Sequence, residues 1–173
     1  MREILRYAFI LGIICVISAG LLSGVDLLTK PRIIAQARAE EEESLKEVVP
    51  QAGRFEEIKA EGLVYYKAYD EKGDLAGVAF KAKAVGYSSV IETMVGMTKG
   101  GKVIAIKVLS QNETPGLGSR VTEPGFTEQF KERDAAQLSG VEAISGATIS
   151  SSALIDSIRE RSAQIIKLIR DGR

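Results

Sequence analysis

Apolar and polar positions divide the chain into three regimes. Residues 7–25, YAFILGIICVISAGLLSGV, carry no charge and are bracketed by Arg2 and Arg6 before them and by Asp26 and Lys30 after them. At a helical rise of about 1.5 Å per residue, such a run spans a hydrocarbon core of about 30 Å. A basic start and small residues at Ser18 and Gly20 also suit a cleaved leader. The run nevertheless continues through Leu21-Leu22 and offers no Ala-x-Ala site, which favours an uncleaved membrane anchor. Residues 29–49 are rich in Ala, Glu and Arg, with Pro31 near their start and Pro50 just past their end, the punctuation of a helical stalk. These patterns predict an anchor over 1–29, a stalk over 30–50 and a compact domain over 51–173.

Inside that domain the period changes from helix to strand. Residues 63–69 (LVYYKAY) and 75–84 (LAGVAFKAKA) flank the turn Asp70-Glu71-Lys72-Gly73-Asp74, which predicts a hairpin. A second hairpin is expected from 90–98 and 103–110 about Lys99-Gly100-Gly101-Lys102, where Ile104, Ile106 and Val108 alternate with Ala105 and Lys107. A short helix is expected over 126–133 (FTEQFKER), behind Pro124-Gly125. From 149 to 170 the period is helical: Leu154, Ile158, Ile165 and Ile169 form one apolar stripe, and Asp156, Arg159, Glu160, Lys167 and Arg170 fall largely off it. The predicted fold is α+β, an N-terminal transmembrane helix followed by antiparallel hairpins closed by a C-terminal helix.

Three stretches carry candidate chemistry. The first is Ser145-Gly146-Ala147-Thr148-Ile149-Ser150-Ser151-Ser152, which opens into the C-terminal helix. A helix start offers unpaired N–H groups and the positive end of the dipole, and Gly146 and Ala147 keep bulk away from an approaching anion, so the place suits a phosphate. One hydroxyl suffices for a cap. Five are present, and the residues alone do not select among Thr148, Ser150 and Ser151. The second stretch, Glu113-Thr114-Pro115-Gly116-Leu117-Gly118, is a turn whose glycines would let backbone amides face a planar ligand. The third is the loop Gly86-Tyr87-Ser88-Ser89, whose tyrosine either packs or stacks on a ring.

Composition narrows the chemistry. The 23 basic and 23 acidic residues cancel, so no global charge argues for nucleic acid. The absence of His removes His-based triads, His metal sites and imidazole proton shuttles. The single Cys, Cys15, lies in the apolar run and leaves no disulfide, zinc or iron–sulfur ligand set of the chain's own. Redox chemistry here requires an organic cofactor. Arg2 and Arg6 on one side of the anchor balance Lys30, Arg32 and Arg38 on the other, so charge alone does not orient it.

An anchor, a hairpin-rich domain, the Glu113 to Gly118 motif and then Ser145-Gly146-Ala147-Thr148 before a terminal helix together resemble the FMN-binding domain family. That family is shared by the G component of the Rnf ion-translocating electron-transport complex and the C component of the sodium-pumping NADH:quinone reductase, and the compact length resembles the former more. The resemblance implies FMN attached through its phosphate to Thr148 by a flavin transferase that uses FAD. It further implies that Ser145, Gly146, Ala147, Ser150 and Ser151 surround the attachment point, and that Glu113, Thr114, Pro115, Gly116, Leu117, Gly118 and Tyr87 contact the flavin. Two departures stand out: Glu142 occupies the position where the family's attachment motif usually has Asp, and Ser88-Ser89 replace a frequent Gly and Pro.

The function so implied is an electron-carrier subunit, with no substrate site of its own, in a ferredoxin:NAD oxidoreductase coupled to sodium or proton translocation. Its partners would be the membrane subunits A, D and E, the flavin transferase and membrane lipid. The flavin domain would lie on the extracytoplasmic side of the cell (inner) membrane, held by a single span. The alternatives are a protein like the C component of the quinone reductase, a module holding a flavin or other phosphorylated ligand non-covalently, and an assembly subunit whose helix start is only a cap.

Overall fold

The computed structural model describes residues 2–171. Contacts divide the chain into two units, Met1–Glu42 and Glu43–Arg173. Helix α1 runs Arg2–Val48. Its N-terminal part is long and apolar enough to cross a membrane, and none of that apolar window is buried in the protein. The anchor and the helical stalk, read separately from the sequence, form one continuous helix that passes through Pro31. A proline removes one i to i−4 bond without preventing helix on either side. Just before it, the Thr29 hydroxyl donates to the Val25 carbonyl at 2.9 Å.

The second unit is built on a five-stranded antiparallel meander in the order β1-β2-β3-β4-β5. Its strands are β1 Arg54–Ala60, β2 Leu63–Tyr69, β3 Leu75–Val85, β4 Val90–Met97 and β5 Val103–Ser110. The two expected hairpins are β2–β3 and β4–β5. The sequence reading missed β1. As an edge strand it buries no residue fully and its adjacent Glu56 and Glu57 break the alternation, so the two-residue period is faint. Its local signal is the turn: Ala60 pairs with Leu63 across Glu61-Gly62, whose φ angles of 49° and 76° are those of a tight hairpin loop.

Each sheet face is covered differently. On one, helix α3 (Thr148–Asp171) packs Leu154, Ile158 and Ile165 against Val78, Phe80, Ala82, Ile91 and Val95, with Val121, Phe126 and Phe130 completing the cluster. On the other, Leu45 and Val48 of the last turn of α1, together with Val49, cover Ala68, Ala79 and Met94. A Cβ at Gly96 would collide with the Val48 carbonyl oxygen, so the helix end approaches the sheet at a position where a side chain has no room.

The helix expected over 126–133 is shorter and starts earlier. Helix α2 covers Pro124–Thr127 and a 3-10 turn follows over Glu128–Phe130. Phe126 and Phe130 meet edge to face at 5.3 Å, both buried. The chain then leaves the helix because residues 132 and 133 join the sheet edge. The Glu132 amide donates to the Val103 carbonyl at 2.9 Å, and the Val103 amide donates to the Arg133 carbonyl at 2.8 Å. Ladder bonds to β5 outweigh local helical preference there.

Candidate functional site

Three segments meet at one end of the sheet. The four residues Gly86-Tyr87-Ser88-Ser89 join β3 to β4, and the Gly86 amide closes the loop on the Ser89 carbonyl at 2.8 Å. The chain leaving β5 turns at Thr114, whose carbonyl accepts the Leu117 amide at 3.1 Å, and enters a 3-10 helix over Gly118–Thr122. The third segment is the first turn of α3.

Glu113 ties them together. It is only 6% exposed, and both carboxylate oxygens are occupied by protein donors. Oε1 accepts the Ser88 amide at 3.0 Å, the Ser89 amide at 2.9 Å and the Ser89 hydroxyl at 3.1 Å. Oε2 accepts the Tyr87 amide at 3.1 Å and the Ser150 hydroxyl at 2.6 Å. Burial by itself pushes the carboxyl up. Donation from the Ser150 hydroxyl, the Ser88 and Ser89 amides and the Ser89 hydroxyl outweighs this and holds Glu113 below its ordinary value. The surroundings leave no slack: a Cβ at Gly86 would lie 2.5 Å from Oε1, and one at Gly118 would lie 2.7 Å from Oε2. Gly118 is therefore required by the carboxylate behind it, in addition to lining the cavity as the sequence suggested.

Above this locked layer lies a cavity of about 560 Å³ lined by Tyr87, Glu113, Thr114, Leu117, Gly118 and residues 146–150. That volume falls within the range of small-molecule and cofactor sites, about 300–1,000 Å³. Its rim is apolar and open, with Tyr87 72%, Leu117 47% and Ile149 59% exposed. Its far side is the start of α3, where the first amides of the helix have no intrahelical acceptor and the dipole favours negative charge. Apolar walls beside an anion-favouring helix end suit a planar ring that carries a phosphate.

Nine of the sequence-derived residues share this lining: Tyr87, Glu113, Thr114, Leu117, Gly118, Gly146, Ala147, Thr148 and Ser150. Pro115, Gly116 and Ser145 are exposed and lie outside it. Ser151 is fully buried and structural: its hydroxyl donates to the Ala147 carbonyl at 2.8 Å and accepts the Ile144 amide at 3.0 Å. Ile149 was not anticipated. Its signal was available as an apolar residue at the start of α3 that falls off the buried stripe. Ser89 was not singled out either, although its hydroxyl accepts the Asn112 amide at 2.8 Å while donating to Glu113; only the fold brings these loops together.

In chain order an apolar helix precedes a domain whose cavity suits a phosphorylated planar ligand, and similarity to known proteins agrees. Residues 86–161 match the family model described as FMN-binding domain, and residues 1–48 match that described as RnfG N-terminal region. The chain is 31% identical to the G component of the ion-translocating oxidoreductase complex of Methanosarcina acetivorans, over 91% of this chain and 92% of the relative. It is also 31% identical to the G component of the proton-translocating ferredoxin:NAD(+) oxidoreductase complex of Clostridium ljungdahlii, over 90% and 88%. The crystal structure of Shewanella oneidensis NqrC has the same fold, with a TM-score of 0.52 at 20% identity over 65% of this chain and 66% of that one. The chain belongs to the RnfG family, the G components of ion-translocating oxidoreductase complexes.

Proposed function

We propose that this protein is the membrane-anchored electron-carrier subunit of an Rnf-type complex and that it carries FMN through a phosphodiester on Thr148. The relatives named as subunits of ion-translocating oxidoreductases and the match to an FMN-binding domain support the carrier reading. One observation carries the attachment residue: of the hydroxyls at 145–152, Thr148 alone is both exposed and part of the cavity lining. Ser150 is 2% exposed and bound to Glu113, Ser151 is bound within the helix turn, and Ser145 and Ser152 lie outside the lining.

The residues present fit the cofactor. Tyr87, Leu117 and Ile149 offer apolar surface to a ring, and the amides that open α3 offer donors to a phosphate. Bound FMN supplies the one- and two-electron redox chemistry that the side chains lack. For attachment, the Thr148 hydroxyl attacks the FMN phosphorus of FAD: the Thr148 Oγ–P bond forms, the pyrophosphate P–O bond breaks, AMP leaves, and the hydroxyl proton passes to a base of the flavin transferase. The resulting diester keeps a negative charge at the start of α3, where amides and dipole stabilise it. The open rim leaves an edge for electron exchange with neighbouring subunits, for which A, D and E are the candidates. The flavin domain is proposed to lie outside the cytoplasm, where a covalent tether prevents loss of the cofactor; protease added outside intact, wall-permeable cells should digest it.

The test is denaturing electrophoresis of the full chain produced with its flavin transferase. Flavin fluorescence should stay with the wild-type band and vanish from Thr148→Ala. Flavin that is released on denaturation would favour a non-covalent binding module instead.

A further inference from the structure

We infer that Glu113 is a specificity-determining positioning residue: it fixes the first turn of α3 so that Thr148 is presented to the cavity as phosphoryl acceptor while Ser150 is withheld. This rests on the reading of Thr148 as the attachment residue. Both hydroxyls belong to residues lining the same cavity, two positions apart on one helical turn, and both are chemically able to form the phosphate ester. What separates them is the carboxylate. The Ser150 hydroxyl donates a hydrogen bond to Glu113 Oε2 at 2.6 Å, a short charge-assisted bond, and the residue is 2% exposed. A phosphate approaching Ser150 would also meet the negative charge of Glu113 in a setting that screens it poorly. Thr148, exposed at the helix start, meets the favourable end of the dipole instead.

The carboxylate cannot simply swing away and release Ser150. Its other bonds come from a separate segment, the β3–β4 loop: the Tyr87 amide shares Oε2 with Ser150, and the Ser88 and Ser89 amides and the Ser89 hydroxyl hold Oε1. Gly86 and Gly118 close around it at distances that admit no side chain. Its own backbone is held as well, because the Glu113 amide donates to the Gln111 side-chain oxygen at 2.7 Å. One side chain thus registers the β3–β4 loop and the segment after β5 against the helix start. The ionised form is essential to this geometry, since every partner is a donor. A glutamine of the same shape would set its NH2 group against backbone N–H groups and could satisfy only one side.

The experiment compares wild type, Glu113→Gln and Ser150→Ala as full chains in detergent, incubated with flavin transferase and FAD. Attachment rate is followed by protein-bound flavin, and its position by peptide mass mapping. Amide exchange at residues 87–89 is measured before flavin is added. Wild type should carry flavin on Thr148 alone. Glu113→Gln should attach at least tenfold more slowly, place part of its flavin on Ser150, and exchange its 87–89 amides faster. Ser150→Ala, which keeps the carboxylate, should attach several-fold more slowly at Thr148. A Glu113→Gln chain that attaches at the wild-type rate on Thr148 alone would overturn the inference, as would an unchanged rate for Ser150→Ala. Wild type without covalent flavin would refute the attachment reading itself. Amide exchange then judges the positioning separately, and unchanged protection in Glu113→Gln would count against it.

Discussion

The candidate site has two layers that obey opposite rules. In the outer layer Tyr87, Thr114, Leu117, Thr148 and Ile149 are exposed and surround open space. In the inner layer Glu113, Gly118, Ser150 and Ser151 are buried, and each of the three polar side chains spends its hydrogen-bonding capacity on the protein. Apolar side chains in water and donors at a helix end gain from a ligand that covers them; a buried carboxylate with five donors gains nothing further. The contrast separates side chains left free to meet a ligand from side chains already committed to the protein, although both kinds line one cavity and stand side by side in the 113–118 and 145–152 motifs.

Substitutions should divide along that line. The largest effect on folding is expected for Gly118→Val, which drives a branched side chain into Glu113 and the Ser150 hydroxyl; unfolding of the full chain by urea should show a loss of about 3 kcal/mol. Ser151→Ala is expected next. It leaves the half-buried Ile144 amide without its acceptor and should cost about 1 kcal/mol in the same measurement.

A smaller inner-layer effect depends on pH. The folded Glu113 carboxyl titrates below its ordinary value of 4.5, because the Ser150, Ser88 and Ser89 donors overcome the upward push of burial. Its ionised form therefore adds stability above that pH, and the contribution fades as pH falls further, through the folded value. Urea midpoints should drop more steeply below pH 4.5 in wild type than in Glu113→Gln, which has no proton to take up. Smallest of all is Tyr87→Ala in the outer layer: stability should change by no more than about 0.5 kcal/mol. If Tyr87 covers the ring, the bound flavin's fluorescence should nevertheless rise.

The outer layer was easier to read from sequence than the inner one, for a physical reason. A helix start after Gly146-Ala147, the turn at Pro115-Gly116 and an exposed loop tyrosine are local features, written in neighbouring residues. Glu113 bonding to residues 87–89 and to Ser150 joins positions 24 to 37 residues apart, and no local pattern encodes that pairing. So Glu113 and Gly118 were expected at the cavity, which both line, but the carboxylate's hydrogen bonds to the 87–89 loop and to Ser150 were not. The same holds for the fold. The β2–β3 and β4–β5 hairpins and α3 follow from periodicity. Strand β1 is hidden by its edge position, and the early end of the 126–133 helix is dictated by pairing with Val103 across the sheet edge.

The two-layer account turns on two hydroxyls of one helical turn, Thr148 outside and Ser150 inside. The most direct test is peptide mass mapping of the wild-type chain produced with its flavin transferase. The account predicts an FMN phosphodiester on Thr148 and an unmodified Ser150; flavin on Ser150, or no covalent flavin at all, would contradict it.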